Sequence, residues 1–265
     1  MKKTVITLVW ALVALLPLCG CAKENTTVNT EKGATTMKKT LASLAFTLFC
    51  LMILTGCCTT PPAPPRVSIL GDSYSTFKGW IPDGNAIYYP QTRGNNDVKN
   101  AEECWWHLVT AAIGGELEKN ESWSGSTICY TGYNAKDFSS FSFVTRANRL
   151  GNPSLILVCG GTNDSWANAP IGEYKWADWT KEELYSFRPA MAKLLFDLKA
   201  FYPEAKIYFI LNSELKPAIN DSVHEICKYY NVPCIDLKDI EKQSGHPSIK
   251  GMKAFADQVV EAITK

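Results

Sequence analysis

The stretch Val67-Ser68-Ile69-Leu70-Gly71-Asp72-Ser73-Tyr74-Ser75 joins a short apolar run to a glycine and a group of polar side chains. The run has the length of a buried strand, and the glycine permits a sharp exit from it. Three further runs read the same way, Leu155-Ile156-Leu157-Val158, Lys206-Ile207-Tyr208-Phe209-Ile210-Leu211 and Val232-Pro233-Cys234-Ile235, and a weaker strand precedes Ser122. Between the strands, Leu184, Phe187, Met191, Leu194, Leu195 and Leu198 recur at spacings of three and four, as do Ile249, Met252, Phe255, Val259 and Ile263 near the end. That period places one stripe of each helix on a sheet. Pro189 is expected to start or kink a turn in the first helix, and Ser248 to cap the last. Strands alternating with helices predict an α/β fold, a three-layer α/β/α sandwich with a central, mostly parallel sheet of about five strands, flavodoxin-like in type. In such sheets ligands bind outside the carboxyl ends of the strands. Two long loops, Tyr74–Asn100 and Ser165–Thr180, are of a length that is usually functional in a compact domain.

The segments before this domain read differently. Residues 1–36 form an upstream leader-like segment, with Met1-Lys2-Lys3 opening an apolar run that ends Leu18-Cys19-Gly20-Cys21. Residues 37–57 repeat the pattern from Met37-Lys38-Lys39 to Leu54-Thr55-Gly56-Cys57, which predicts a lipoprotein signal peptide with Cys57 as the acylated residue. Both apolar runs are shorter than the ~20 residues of a spanning helix, so contact with a membrane is expected through a lipid anchor only. Residues 58–65, with four prolines, read as a stiff tether, and 66–265 as the folded domain, exported and held at the bacterial envelope. Beyond residue 56 the chain carries 21 basic and 24 acidic side chains, a formal charge of −3, which removes any basic footprint for nucleic acid. Five of the ten cysteines lie in the domain. An exported domain can form disulfides, and Cys227 with Cys234 would close a short loop; otherwise the five are small buried hydrophobes.

Four polar segments follow predicted strands or precede the last helix. Ser73 stands at the end of the first strand, where a hydroxyl can act as nucleophile if a base and oxyanion donors are near, or can simply cap the next helix. Asn120-Glu121-Ser122-Trp123-Ser124-Gly125 brings a glycine N–H, Gly160-Gly161-Thr162-Asn163-Asp164 a side-chain amide, and Gly245-His246-Pro247 an imidazole. Serine, glycine, asparagine and histidine in this order resemble the SGNH or GDSL hydrolase family, and the resemblance covers the domain from Val67 to the last helix. It implies a carboxylic ester hydrolase without metal or other cofactor. Ser73 would attack the acyl carbonyl, His246 would carry the proton, and the Ser73 N–H, the Gly125 N–H and the Asn163 amide would form the oxyanion hole.

One position departs from the family pattern. An aspartate usually stands three residues before the histidine and orients its ring, but Gln243 occupies that place here. Asp239, Glu241 or Gln243 could take over, a backbone carbonyl could, or the pair could work alone. His107 and His224 read as partly buried histidines of helices, and no pair of histidines has metal-ligand spacing. For the substrate, Asp72, Tyr74, Trp166 and Trp176 are the candidate contacts. The two long loops carry aromatic rings among amides and carboxylates, which suits a small-molecule or glycan ester, with O-acetyl carbohydrate foremost. The alternatives are a lipase, thioesterase or lysophospholipase of the same fold, and a catalytically impaired carbohydrate-binding surface protein. Oligomeric state is not legible.

Overall fold

The structure is a computed structural model that describes residues 63–91 and 94–265. The two leader segments, Cys57 and the start of the tether lie outside the described residues. Pro65, assigned above to the tether, already belongs to the domain, because its carbonyl accepts the Glu116 N–H at 2.8 Å.

Strands β1 (Arg66–Gly71), β2 (Glu116–Ser122), β3 (Leu155–Gly160), β4 (Lys206–Leu211) and β5 (Cys234–Asp236) form one sheet in the order β2-β1-β3-β4-β5, parallel throughout. From β1 the chain moves outward to β2 and then returns to β3 on the other side, so the topological switch falls between β1 and β3. The register aligns their ends: Gly71 pairs with Ser122 on one side and Cys159 on the other. The segments leaving these three strands therefore emerge along one edge.

The two faces of the sheet are covered by different helices, as the alternation of side chains requires. Leu70, Ile156, Val158, Ile207 and Phe209 pack with α4 (Phe187–Phe201) and α5 (Pro217–Tyr230). Val67, Ile69, Leu155, Leu157 and Ile210 pack with α1 (Trp105–Ala112) and α6 (Ile249–Thr264), whose Trp105 and Phe255 rings stack 4.4 Å apart. Two short helices, α2 (Phe143–Arg146) and α3 (Thr162–Trp166), sit beside the strand ends. Among the described residues no helix is long and apolar enough to cross a membrane.

Several local expectations shift by a few residues for identifiable reasons. Leu184 lies in a separate turn of 3-10 helix at Glu183–Tyr185, and α4 begins at Phe187 with Pro189 in its first turn, where a missing N–H leaves no bond unmade. The last strand of the five-stranded sheet starts at Cys234, after Pro233, whose carbonyl still accepts from Phe209. The Ser248 hydroxyl caps α6 by accepting the Gly251 N–H. Cys104, Cys129, Cys159, Cys227 and Cys234 are free thiols, so no Cys227–Cys234 bridge is formed.

Candidate active site

The turn after β1 is tight because of what surrounds it. A Cβ on Gly71 would stand 2.6 Å from Ser122 Oγ and from the Ser75 side chain, so only glycine fits between the two strand ends. The chain then turns at Asp72-Ser73, with the Asp72 carboxylate accepting the Tyr74 N–H at 3.0 Å and the Asp72 carbonyl accepting the Ser75 N–H.

Ser73 and His246 are 173 positions apart in sequence, yet Ser73 Oγ lies 2.8 Å from His246 Nε2. The other ring nitrogen, Nδ1, lies 3.1 Å from the Ser244 carbonyl. A carbonyl can only accept, so Nδ1 carries the hydrogen and Nε2 is left to accept from the Ser73 hydroxyl. A tight hairpin makes this possible. Strands β6 (Lys242–Gln243) and β7 (His246–Pro247) pair antiparallel, and the two linking residues, Ser244 and Gly245, both take left-handed φ values of 51° and 76°, as a type I′ turn requires. Burial lowers the His246 pKa to about 4, the Ser244 hydrogen bond opposing the shift and the charge of Lys242 adding to it.

The first long loop holds this hairpin in place. Tyr88 stacks on the His246 ring at 3.5 Å and 12°, the Tyr74 hydroxyl donates to the Gly245 carbonyl at 2.7 Å, and the Tyr89 hydroxyl donates to that of Pro247 at 2.9 Å. The Asn96 amide donates to Pro247 at 3.0 Å. The sequence signals neither Tyr88, Tyr89 nor Asn96 as a support of His246, since nothing local ties them to a histidine about 150 residues away.

On the other side of Ser73, Gly125 takes a φ of 82° in the turn Trp123–Ser126, a conformation that glycine reaches without strain. Asn163 Nδ2 donates one hydrogen to the Ser126 carbonyl at 3.0 Å, while its Oδ1 accepts from the Tyr133 hydroxyl at 2.6 Å. The second Nδ2 hydrogen remains. Among the described residues the Ser73 and Gly125 N–H groups donate to no protein acceptor. Asp164, beside Asn163, accepts the N–H groups of Ile128 and Cys129, and burial raises its pKa to about 6. A residue the sequence did not reveal binds these parts together. Arg146, fully buried, donates to the carbonyls of Gly71, Glu121 and Phe141 and to Ser126 Oγ, which joins the ends of β1 and β2 to the glycine turn.

Other expected site residues are placed differently. Asp239, Glu241 and Gln243 do not orient the ring. Glu241 accepts from the Ser248 hydroxyl and pairs with Lys250, Gln243 exchanges hydrogen bonds with Asp97, and Asp239 forms no hydrogen bond to His246. Asp72 and Tyr74 have no exposed surface, so they support the turn and the hairpin from within instead of lining a substrate cleft. Burial, more than any other cause, raises the Asp72 pKa to about 7, and its Oδ2 has no hydrogen-bond partner among the described residues. Trp166 is half-exposed and lies 6.1 Å from the His246 ring, at the rim of the site. Trp176 instead stacks on Tyr229 at 4.0 Å, near the end of α5 that points back toward the opposite edge of the sheet. His107 packs against Trp80 and Trp106, and His224 pairs with Asp236.

The GDSL-like lipase/acylhydrolase family model matches residues 65–263. A crystal structure from Bacteroides ovatus described as a GDSL-like lipase is 50% identical, covers 76% of this chain and 99% of its own, and superposes with a TM-score of 0.75. One from Bacteroides uniformis with the same description is 52% identical, with coverage of 76% and 96% and the same TM-score. A family two carbohydrate esterase from Clostridium thermocellum, solved with cellohexaose, is 17% identical over 77% of this chain and 65% of its own, with a TM-score of 0.51, and so shares the fold. No match was found among curated proteins. With a family match over 65–263 and half-identical structural relatives, the chain belongs to the GDSL-like lipase/acylhydrolase family and is a hydrolase of ester bonds.

Proposed function

We propose that this hydrolase is a serine esterase that removes short O-acyl groups, acetyl foremost, from carbohydrate. The observation that carries the reading is the 2.8 Å contact between Ser73 Oγ and His246 Nε2, with Nδ1 held on a carbonyl. In this reading Oγ attacks the acyl carbon while its proton passes to Nε2, and the charge on the carbonyl oxygen falls on the Ser73 N–H, the Gly125 N–H and the free Asn163 hydrogen. As the tetrahedral intermediate collapses, Nε2–H gives its proton to the departing alcohol. Water then loses a proton to Nε2 and attacks the acyl-Ser73 ester, which frees the carboxylic acid and restores the Ser73 hydroxyl. A His246 pKa of about 4 keeps the imidazole neutral, as a base must be, across the ordinary pH range.

The carbohydrate part has narrower support. Trp166 stands half-exposed at the rim, where a flat ring can pack against the C–H face of a sugar. The Clostridium thermocellum carbohydrate esterase, solved with a glucose oligomer, has the same fold. The half-identical relatives described as lipases favour a second reading, a long-chain lipase. Export and acylation at Cys57, which would put the enzyme on the envelope surface, are part of the proposal and are supported by the leader sequence.

A fluorophosphonate probe tests the chemistry: labelling of the folded chain that vanishes in Ser73→Ala is expected, and absence of labelling would favour a protein that only binds glycans. Acetate release from acetylated glycans, together with fastest turnover on the shortest p-nitrophenyl esters, is expected for the carbohydrate reading. A preference for long acyl chains would replace it with the lipase. Intact mass of the envelope-bound protein tests whether it begins at an acylated Cys57.

A further inference from the structure

A second constellation lies apart from Ser73. His224 on α5 and Cys234 and Asp236 on β5 bring a ring nitrogen, a sulfur and a carboxylate oxygen within 4.8 Å of one another. His224 Nε2 is 2.7 Å from Asp236 Oδ1, and Cys234 Sγ is 3.9 Å from the same oxygen. Cys234 and Asp236 alternate with the buried Ile235, so both project from the same side of the strand. One helical turn after His224 stands Cys227, buried. The neighbouring Cys234 side chain, with burial behind it, pushes the Cys227 thiol well above its ordinary range. A second sulfur therefore adjoins the cluster. None of these residues takes part in the chemistry at Ser73.

We propose that His224 Nε2, Cys234 Sγ and an Asp236 carboxylate oxygen form a binding site for a thiophilic divalent cation of the Zn²⁺ type. The donor set selects the class of ion, since imidazole and thiolate suit Zn²⁺ whereas Mg²⁺ and Ca²⁺ take oxygen. The spacing is close to what such an ion needs. Zinc–ligand bonds of about 2.0–2.3 Å place tetrahedral ligands about 3.3–3.8 Å apart. The His224–Asp236 contact at 2.7 Å has to open by somewhat under 1 Å, and the sulfur, 3.9 Å from the carboxylate oxygen and within 4.8 Å of the ring nitrogen, has to close by up to about 1.5 Å, changes within reach of side-chain rotation. The imidazole and carboxylate are half-exposed, at 49% and 50%, so an ion can enter from solvent. On binding, the Cys234 thiol releases its proton to solvent as the S–metal bond forms, and Nε2 gives up the hydrogen it donates to Asp236, the neutral ring keeping its one hydrogen on Nδ1, so that the freed lone pair bonds the ion. The ion would tie β5, an edge strand of only three residues, to α5.

Co²⁺ provides a direct test on the full chain, reduced and free of oxygen. One equivalent is expected to give a sulfur-to-cobalt charge-transfer band and the visible bands of tetrahedral cobalt, both bleached by Zn²⁺. Cys234→Ser should abolish the charge-transfer band, and His224→Gln, at an exposed position, should weaken Co²⁺ binding about tenfold or more. Far-UV circular dichroism equal to that of the parent verifies that each variant is folded. Absence of the charge-transfer band in reduced, folded protein overturns the proposal, as does a band that persists in Cys234→Ser.

Discussion

The Ser244 carbonyl lies 3.1 Å from Nδ1 of His246, two residues further along the same hairpin. A neutral dipole thus holds the ring nitrogen for which the family resemblance implies an aspartate carboxylate. It selects the tautomer that leaves Nε2 free to accept from Ser73, but it gives an imidazolium less support than a full negative charge would.

The consequence for pH is specific. Since burial holds His246 at about 4, kcat/KM for a short ester should rise with pH through about 4 and be level from about pH 5.5 to 8. A midpoint near the ordinary histidine value of 6.5 would contradict the burial argument. Stability should show two opposite contributions. Between 6.5 and about 4 the unfolded histidine takes up a proton that the folded one refuses, so the melting temperature loses this contribution as pH falls through that window. Asp72 is raised from 3.8 to about 7, so its contribution is present below 3.8 and is lost as pH rises to about 7; Asp72→Asn should remove that alkaline loss.

Tyr88 acts through the ring it stacks on. Tyr88→Ala should lower kcat by about tenfold with a smaller change in KM, because a base displaced by a fraction of an ångström transfers its proton less often. Tyr88→Phe keeps the ring face and should restore most of the rate, which a role for the hydroxyl would not allow.

Under the proposed mechanism Asn163→Ala removes one oxyanion donor and should reduce kcat by about 10²–10³-fold. It also leaves the Ser126 carbonyl and the Tyr133 hydroxyl without their partner, so a melting temperature measured alongside separates lost catalysis from lost structure.

Gln243→Ala should leave kcat within about threefold, because the ring is oriented from Ser244 and, among the described residues, the glutamine side chain bonds only to Asp97. A stability loss of about 1 kcal/mol in denaturant titration is expected from those hydrogen bonds. A hundredfold fall in kcat would show that position 243 orients the base after all.

Arg146→Met should be the most damaging substitution outside Ser73 and His246. It strips hydrogen bonds from the carbonyls of Gly71, Glu121 and Phe141 and from the Ser126 hydroxyl, and it leaves Glu121 and Asp72 without their nearby buried cation. A loss of about 3–5 kcal/mol is expected in equilibrium unfolding, with activity falling in step with folded fraction.

The amino-acid sequence by itself determined the layers of this protein and the order of its strands' chemistry. Short apolar runs and three-to-four apolar spacings are local, and each of the Ser73, Gly125, Asn163 and His246 blocks adjoins its own strand or helix, so both could be read residue by residue. Only the tertiary structure decided what orients His246, what supports the turns and which residues are accessible. The Ser244 carbonyl is a backbone group common to every residue, and its role comes from two left-handed φ angles in a hairpin turn. Tyr88, Asn96 and Arg146 act on partners far from them in sequence, and the placement of Asp72, Tyr74 and Trp176 away from substrate follows from burial and stacking set by the whole fold. The His224–Cys234–Asp236 cluster was invisible for the same reason, because helix and strand supply its ligands from opposite sides of a loop. Such contacts are fixed by three-dimensional packing of distant segments, and no short-range pattern records them.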